Sequence, residues 1–82
     1  MKQDDLIERI TLKPEILAGK PVIRGTRLSV QYILGLLAQG ETTQDILNEY
    51  DGLTEEDVKA CLLFATKSLD SVDFMPLAGE MS

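Results

Sequence analysis

The sequence predicts a mainly α chain: three short helices in a helix-turn-helix bundle, entered through a short N-terminal β element. Three observations predict it. Apolar residues recur at three- and four-residue spacing in three separate stretches after residue 29. Each stretch opens on Ser or Thr, and Gly40 and Gly52 stop the first two. Strand-like segments are confined to the chain before residue 29.

In chain order, Arg9-Ile10-Thr11-Leu12 has the make-up of a short strand. Pro14 suits the first position of a single helical turn over Pro14 to Ala18, with Gly19 as its stop. From Lys20 to Leu28, a two-residue turn with Gly25 at its first central position makes a type II′ hairpin. Pro21 fixes φ at the strand start. That register sets Ile23 against Leu28 toward the core. It also sets Arg24 beside Arg27 on the other face, with Cβ atoms about 5 Å apart. Like charges so close need a counter-charge, for which Glu49 and Asp57 are candidates.

Ser29 caps a first helix from Val30 to Gln39, with Val30, Ile33, Leu34 and Leu37 as its apolar stripe. Thr42 opens the second, with Asp45 three residues on as a short relative of the capping box. Ile46, Leu47 and Tyr50 are its buried face. Thr54 opens the third, again with an acid, Asp57, three residues later. Val58, Cys61, Leu62, Ala65 and Leu69 follow on one side. The link Asp51-Gly52-Leu53 between two helices is the helix-turn-helix pattern. Residues 1–69 then form the domain. Residues 70–82 form a tail with Val72, Phe74, Met75 and Leu77 at no regular spacing.

Composition narrows the function. With 82 residues and 9.1 kDa there is room for one domain. The chain has no His, which excludes Ser-His-Asp and Cys-His catalysis and His-containing zinc sites. One cysteine, Cys61, builds neither a disulfide nor a thiolate site, and on its apolar stripe it reads as core. Glu55-Glu56-Asp57 diverge by about 100° per residue on a helix and do not converge on an ion. No catalytic residue, metal or cofactor is expected. There is no apolar run of membrane-spanning length and no signal-peptide core, so a cytoplasmic location is expected. Net charge is -6, yet residues 1–40 carry +2 and residues 41–82 carry -8.

The string Gly19-Lys20-Pro21-Val22-Ile23-Arg24-Gly25-Thr26-Arg27-Leu28 is more specific than any of this. With Val30, Ile33, Leu37-Ala38, Gly40, Ile46-Leu47, Tyr50, Leu53-Thr54, Asp57-Val58, Ala60 and Ala65, it resembles the domain-of-unknown-function 433 family over about residues 10–65. Ser29 and Asp51 stand where that family commonly has Pro; both suit a helix start and a helix stop. The resemblance implies a homeodomain-like or winged-helix-like three-helix fold. It further implies the antitoxin of a toxin–antitoxin pair whose partner is a PIN-like nuclease toxin, or alternatively a DNA-binding transcription regulator.

The binding candidates are Lys20, Arg24 and Arg27 from the hairpin, and Phe74, Met75 and Leu77 from the tail. Gly19, Pro21, Gly25 and Thr26 read as turn geometry. The N-terminal part of a recognition helix reads bases, but here it is Thr54-Glu55-Glu56-Asp57, which repels a phosphate backbone. DNA binding by the chain alone is therefore expected to be weak. Edge strands at Thr11 or the hairpin suggest a homodimer.

Overall fold

Pro14 and the glycines at 19, 25, 40 and 52 divide the chain, and the segments between them fold against one long helix. In the computed structural model, residues 3–70 are described. A one-turn helix, α1 (Gln3–Ile7), leads to β1 (Ile10–Thr11). The chain reverses and returns as β2 (Val22–Ile23), antiparallel to β1, with Ile10 opposite Ile23 and Thr11 opposite Val22. Then come α2 (Val30–Ala38), α3 (Thr43–Glu49) and α4 (Glu55–Asp70). α1, α2, α3 and β1 all pack against α4. The fold is mainly α with a two-stranded sheet, as the sequence predicts. The expected tail beyond Asp70 lies outside the described residues.

The three long helices begin where the caps predict. Ser29 Oγ accepts the Tyr32 N–H at 3.0 Å. Thr42 and Asp45 form a full capping box: Thr42 Oγ1 accepts the Asp45 N–H, and Asp45 Oδ2 accepts the Thr42 N–H. Thr54 and Asp57 do the same for α4, at 3.3 and 3.0 Å. Val22, Ile33, Ile46, Val58 and Cys61 are sealed from solvent and form the centre of the core.

Four expectations are corrected. First, α1 has no counterpart in the sequence reading; at five residues it is too short for a periodic pattern. Second, the turn before Lys20 is left-handed, with Leu17, Ala18 and Gly19 at φ of +48°, +56° and +82°. The Gly19 N–H reaches the Ile16 carbonyl at 3.0 Å and the Lys20 N–H reaches Leu17 at 3.2 Å. Two non-glycine residues in that region cost on the order of 1–2 kcal/mol each.

Third, the chain reverses one residue earlier than a type II′ turn requires. The Thr26 N–H donates to the Ile23 carbonyl at 3.0 Å, so Arg24 and Gly25 are the central pair. Gly25, at φ +81°, occupies the second position, the type II arrangement. Thr26 is the cause. Its hydroxyl donates to the Ile23 carbonyl at 2.7 Å and accepts the Leu28 N–H at 3.0 Å, which draws the loop inward. The Ile23–Leu28 pairing survives through the Ile23 N–H to Leu28 carbonyl bond. The Arg24 N–H instead reaches back to the Arg9 carbonyl at 2.7 Å.

Fourth, the apolar stripe of α4 is only half buried. Val58 and Cys61 enter the core with Ala60, whereas Leu62 and Leu69 are exposed. The second half of the helix outruns the elements that cover the first.

Asp57 is the one charged residue buried among the described residues. Its Oδ1 accepts from Arg9 Nη1 at 3.0 Å while its Oδ2 caps α4. Neither Arg24 nor Arg27 takes that carboxylate. Removing it strands a partly buried guanidinium and a helix cap together. We therefore expect Asp57→Ala to destabilise by about 2–3 kcal/mol in urea unfolding. Glu55→Ala, which breaks only the exposed 3.5 Å pair with Lys59, should change stability by less than about 0.5 kcal/mol.

Candidate functional site

The reversal after β1 and the Arg24–Arg27 turn form two walls of one cleft. Thr11, Lys13 and Ile16 line one side and residues 24–27 the other, around a volume of about 390 Å³. Lys13 before Pro14 lies in the loop that the left-handed turn folds back. Arg24 is placed by its backbone bond to Arg9, and Arg27 by the hydroxyl bonds of Thr26. The structure thus brings Arg24, Gly25, Thr26 and Arg27 together with Lys13.

Lys13, Arg24 and Arg27 are all exposed at this cleft. None of them forms an ion pair among the described residues, where the pairs are Arg9–Asp57 and Glu55–Lys59. The counter-charges expected for the arginines at Glu49 and Asp57 do not reach them. Glu49 lies with Glu41 and Asp45 around a separate, larger cleft of about 670 Å³ at the α2–α3 corner. The Asp45 carboxyl is held below its ordinary range by the Thr42 backbone N–H, then by the Thr42 hydroxyl.

The other singled-out residues disperse. Lys20 lies in a different groove, with Ser29, Tyr32 and Gln39. The Pro21 carbonyl accepts the Val30 N–H at 2.9 Å and so locks the start of α2. Gly19 closes the left-handed turn. Phe74, Met75 and Leu77 lie outside the described residues. Lys13 is the residue of this cleft that the sequence does not single out, since no spacing points to it.

Two further groups have resolved environments. Tyr32 and Tyr50 meet edge to face at 6.2 Å, and their hydroxyls share a 2.5 Å hydrogen bond. That bond first, then desolvation and the nearby Glu49 and Glu41 charges, push the Tyr50 hydroxyl up to about 12. Burial, followed by the nearby Asp57 charge, pushes the Cys61 thiol up to about 12. Among the described residues, no three His, Cys, Asp or Glu side chains converge where a metal ion could sit. No described helix is long and apolar enough to cross a membrane.

A family model described as "Protein of unknown function (DUF433)" matches residues 10–65, from β1 through the cleft to the middle of α4. The chain belongs to the DUF433 family. It is 34% identical over 65 residues to "Uncharacterized protein y4eO" of Sinorhizobium fredii (strain NBRC 101917 / NGR234). That match takes in 76% of this chain but 29% of the relative, so the chain spans less than a third of that protein's length. A crystal structure of a DUF433 member protein from Anabaena variabilis superposes with a TM-score of 0.73 at 28% identity. It covers 85% of this chain and 69% of the other.

Within this DUF433 domain Cys61 is a packing residue. At pH 8 its thiol should react with a disulfide reagent only as fast as the protein opens, and immediately in denaturant. Rapid reaction of the native protein would contradict the burial. The proton is held more tightly folded than unfolded, so its contribution to stability is fully present below the ordinary thiol value of 9.0. It fades as pH rises toward 12.

Proposed function

We propose that this DUF433 chain is a non-enzymatic interaction module of the cytoplasm. In this reading it is the antitoxin of a toxin–antitoxin pair and inhibits a PIN-like nuclease toxin. The observation that carries it is the Lys13–Arg24–Arg27 cleft. A chain with net charge -6 has ample carboxylates to neutralise three cations, yet these three have no ion-pair partner among the described residues. Their own turn hydrogen bonds hold the loops that carry them, so the cations are presented outward at little entropic cost on binding.

A guanidinium fork matches a carboxylate with two parallel bonds. A nuclease that gathers carboxylates to hold its metal offers such a target. The clustered cations would cap it and block substrate entry. The acidic remainder of the surface would steer approach to basic parts of the same partner.

DNA regulation is the competing reading. It is favoured by the α3–α4 pair, joined through a tight turn with Gly52 at φ +92°. Against it stands the first turn of α4, where Glu55 and Glu56 meet any groove and Asp57 is already engaged by Arg9.

Co-expression with a PIN-like nuclease encoded beside the gene, followed by affinity capture, tests the proposal. Arg24→Glu with Arg27→Glu should weaken capture by at least about a hundredfold, two charge-assisted contacts being lost. It should also release nuclease activity while leaving the melting curve unchanged. Capture that survives the double reversal would overturn the assignment of the cleft. A gel shift on the gene's own promoter, abolished by the same reversal, would favour the regulator.

A further inference from the structure

We propose that the apolar groove between α2 and the second half of α4 is a self-association face, and that its occupant is a second copy of this chain. The groove encloses about 350 Å³ and is walled by Val30 and Leu34 on α2 and by Phe64, Ala65 and Leu69 on α4. Leu69 is 67% exposed and Leu62, two turns earlier on α4, is 48% exposed.

Charge identifies the occupant. The chain has 14 acids, yet α2 (Val30–Ala38) has no charged residue at all. From Val58 to Leu69 there is no acid, only Lys59 and Lys67. Two copies of a protein at net charge -6 repel each other over most orientations. They repel least when these two faces meet. A strongly basic partner finds no carboxylate in the same stretches, and so gains nothing there over the acidic α3 corner.

Shape agrees with a two-fold interface. Leu62, Ala65 and Leu69 follow the three-then-four spacing of a coiled-coil seam. The protruding Leu69 and the small Ala65 beside Leu34 lie on one surface. A symmetric pair inserts each ridge into the other's gap, as an isologous contact requires. The strand route to a dimer is narrow by comparison. β1 offers an edge of two residues, and β2 is flanked on both sides, by β1 and by the bridge from Val22 to Ser29.

Sedimentation equilibrium of the full chain, from micromolar to millimolar concentration, tests this. The expected result is a reversible dimer. Leu69→Glu should raise its dissociation constant at least about tenfold, with helicity by circular dichroism unchanged because the side chain is already exposed. A monomer at every concentration overturns the proposal, as does a dimer indifferent to Leu69→Glu. The full chain with Phe74→Ser and Leu77→Ser separates out the chain's own last residues as occupant. An unchanged dimer constant supports the second copy. A dimer that forms or tightens only in that variant overturns it, because the groove is then covered from within.

Discussion

The contact between Arg9 and Asp57 ties the β element to the helices, and the position of the basic cleft depends on it. Asp57 divides its carboxylate: one oxygen caps α4 through the Thr54 N–H and the other takes the Arg9 guanidinium. A buried carboxylate is expensive to desolvate. Here it sits at a helix N-terminus, where the backbone dipole favours negative charge, and it receives two donors. Arg9 continues the chain of contacts, since its carbonyl accepts the Arg24 N–H at 2.7 Å. The turn bearing Arg24 and Arg27 is thereby fixed to α4 without either of its own side chains being used. The cations remain available because a different arginine does the structural work.

The parts of the fold legible in the sequence are those fixed by local chemistry. Ser29, Thr42 and Thr54 each place a hydroxyl where the first turn of a helix has unsatisfied N–H groups, and all three helices start there. Val30 with Ile33, Ile46, and Val58 with Cys61 are buried as their spacing predicts. The parts that were not legible depend on long-range packing. α1 is too short to show a period. The choice of Arg9 over Arg24 or Arg27 as the partner of Asp57 is a contact across 48 residues, and all three arginines read alike in sequence. Leu62 and Leu69 belong to an apolar stripe by spacing, but burial depends on where the covering helices end.

Charge was legible in sign and only in part in place. The division into a net +2 first half and a net -8 second half survives folding as two separate clefts, one with Lys13, Arg24 and Arg27 and one with Glu41, Asp45 and Glu49. Adjacency in sequence misled for Lys20, which lies four residues from Arg24 yet lines a groove of its own beside α2. In chain order the uncharged α2 lies between the arginines of the basic cleft and the acids of the other.

Lys13 shows most clearly why a site can be invisible in sequence. Its loop carries two non-glycine residues at positive φ, a conformation that local preference opposes. Backbone strain of this kind persists only where the surroundings leave the chain no alternative. Here both ends of the loop are fixed: Ile10 is held against Ile23 and Thr11 against Val22, with Val22 and Ile23 buried in the core. A Cβ at Gly19 would meet the Pro14 Cα at 3.8 Å, ordinary van der Waals contact, so the end of the loop lies back against its start. The burial of two side chains in β2 therefore outweighs the preferences of Leu17 and Ala18 and carries Lys13 to the wall facing Arg24. The third cation of the cleft is placed by the register of a two-residue sheet, and a register between distant segments leaves no periodic trace around Lys13 itself.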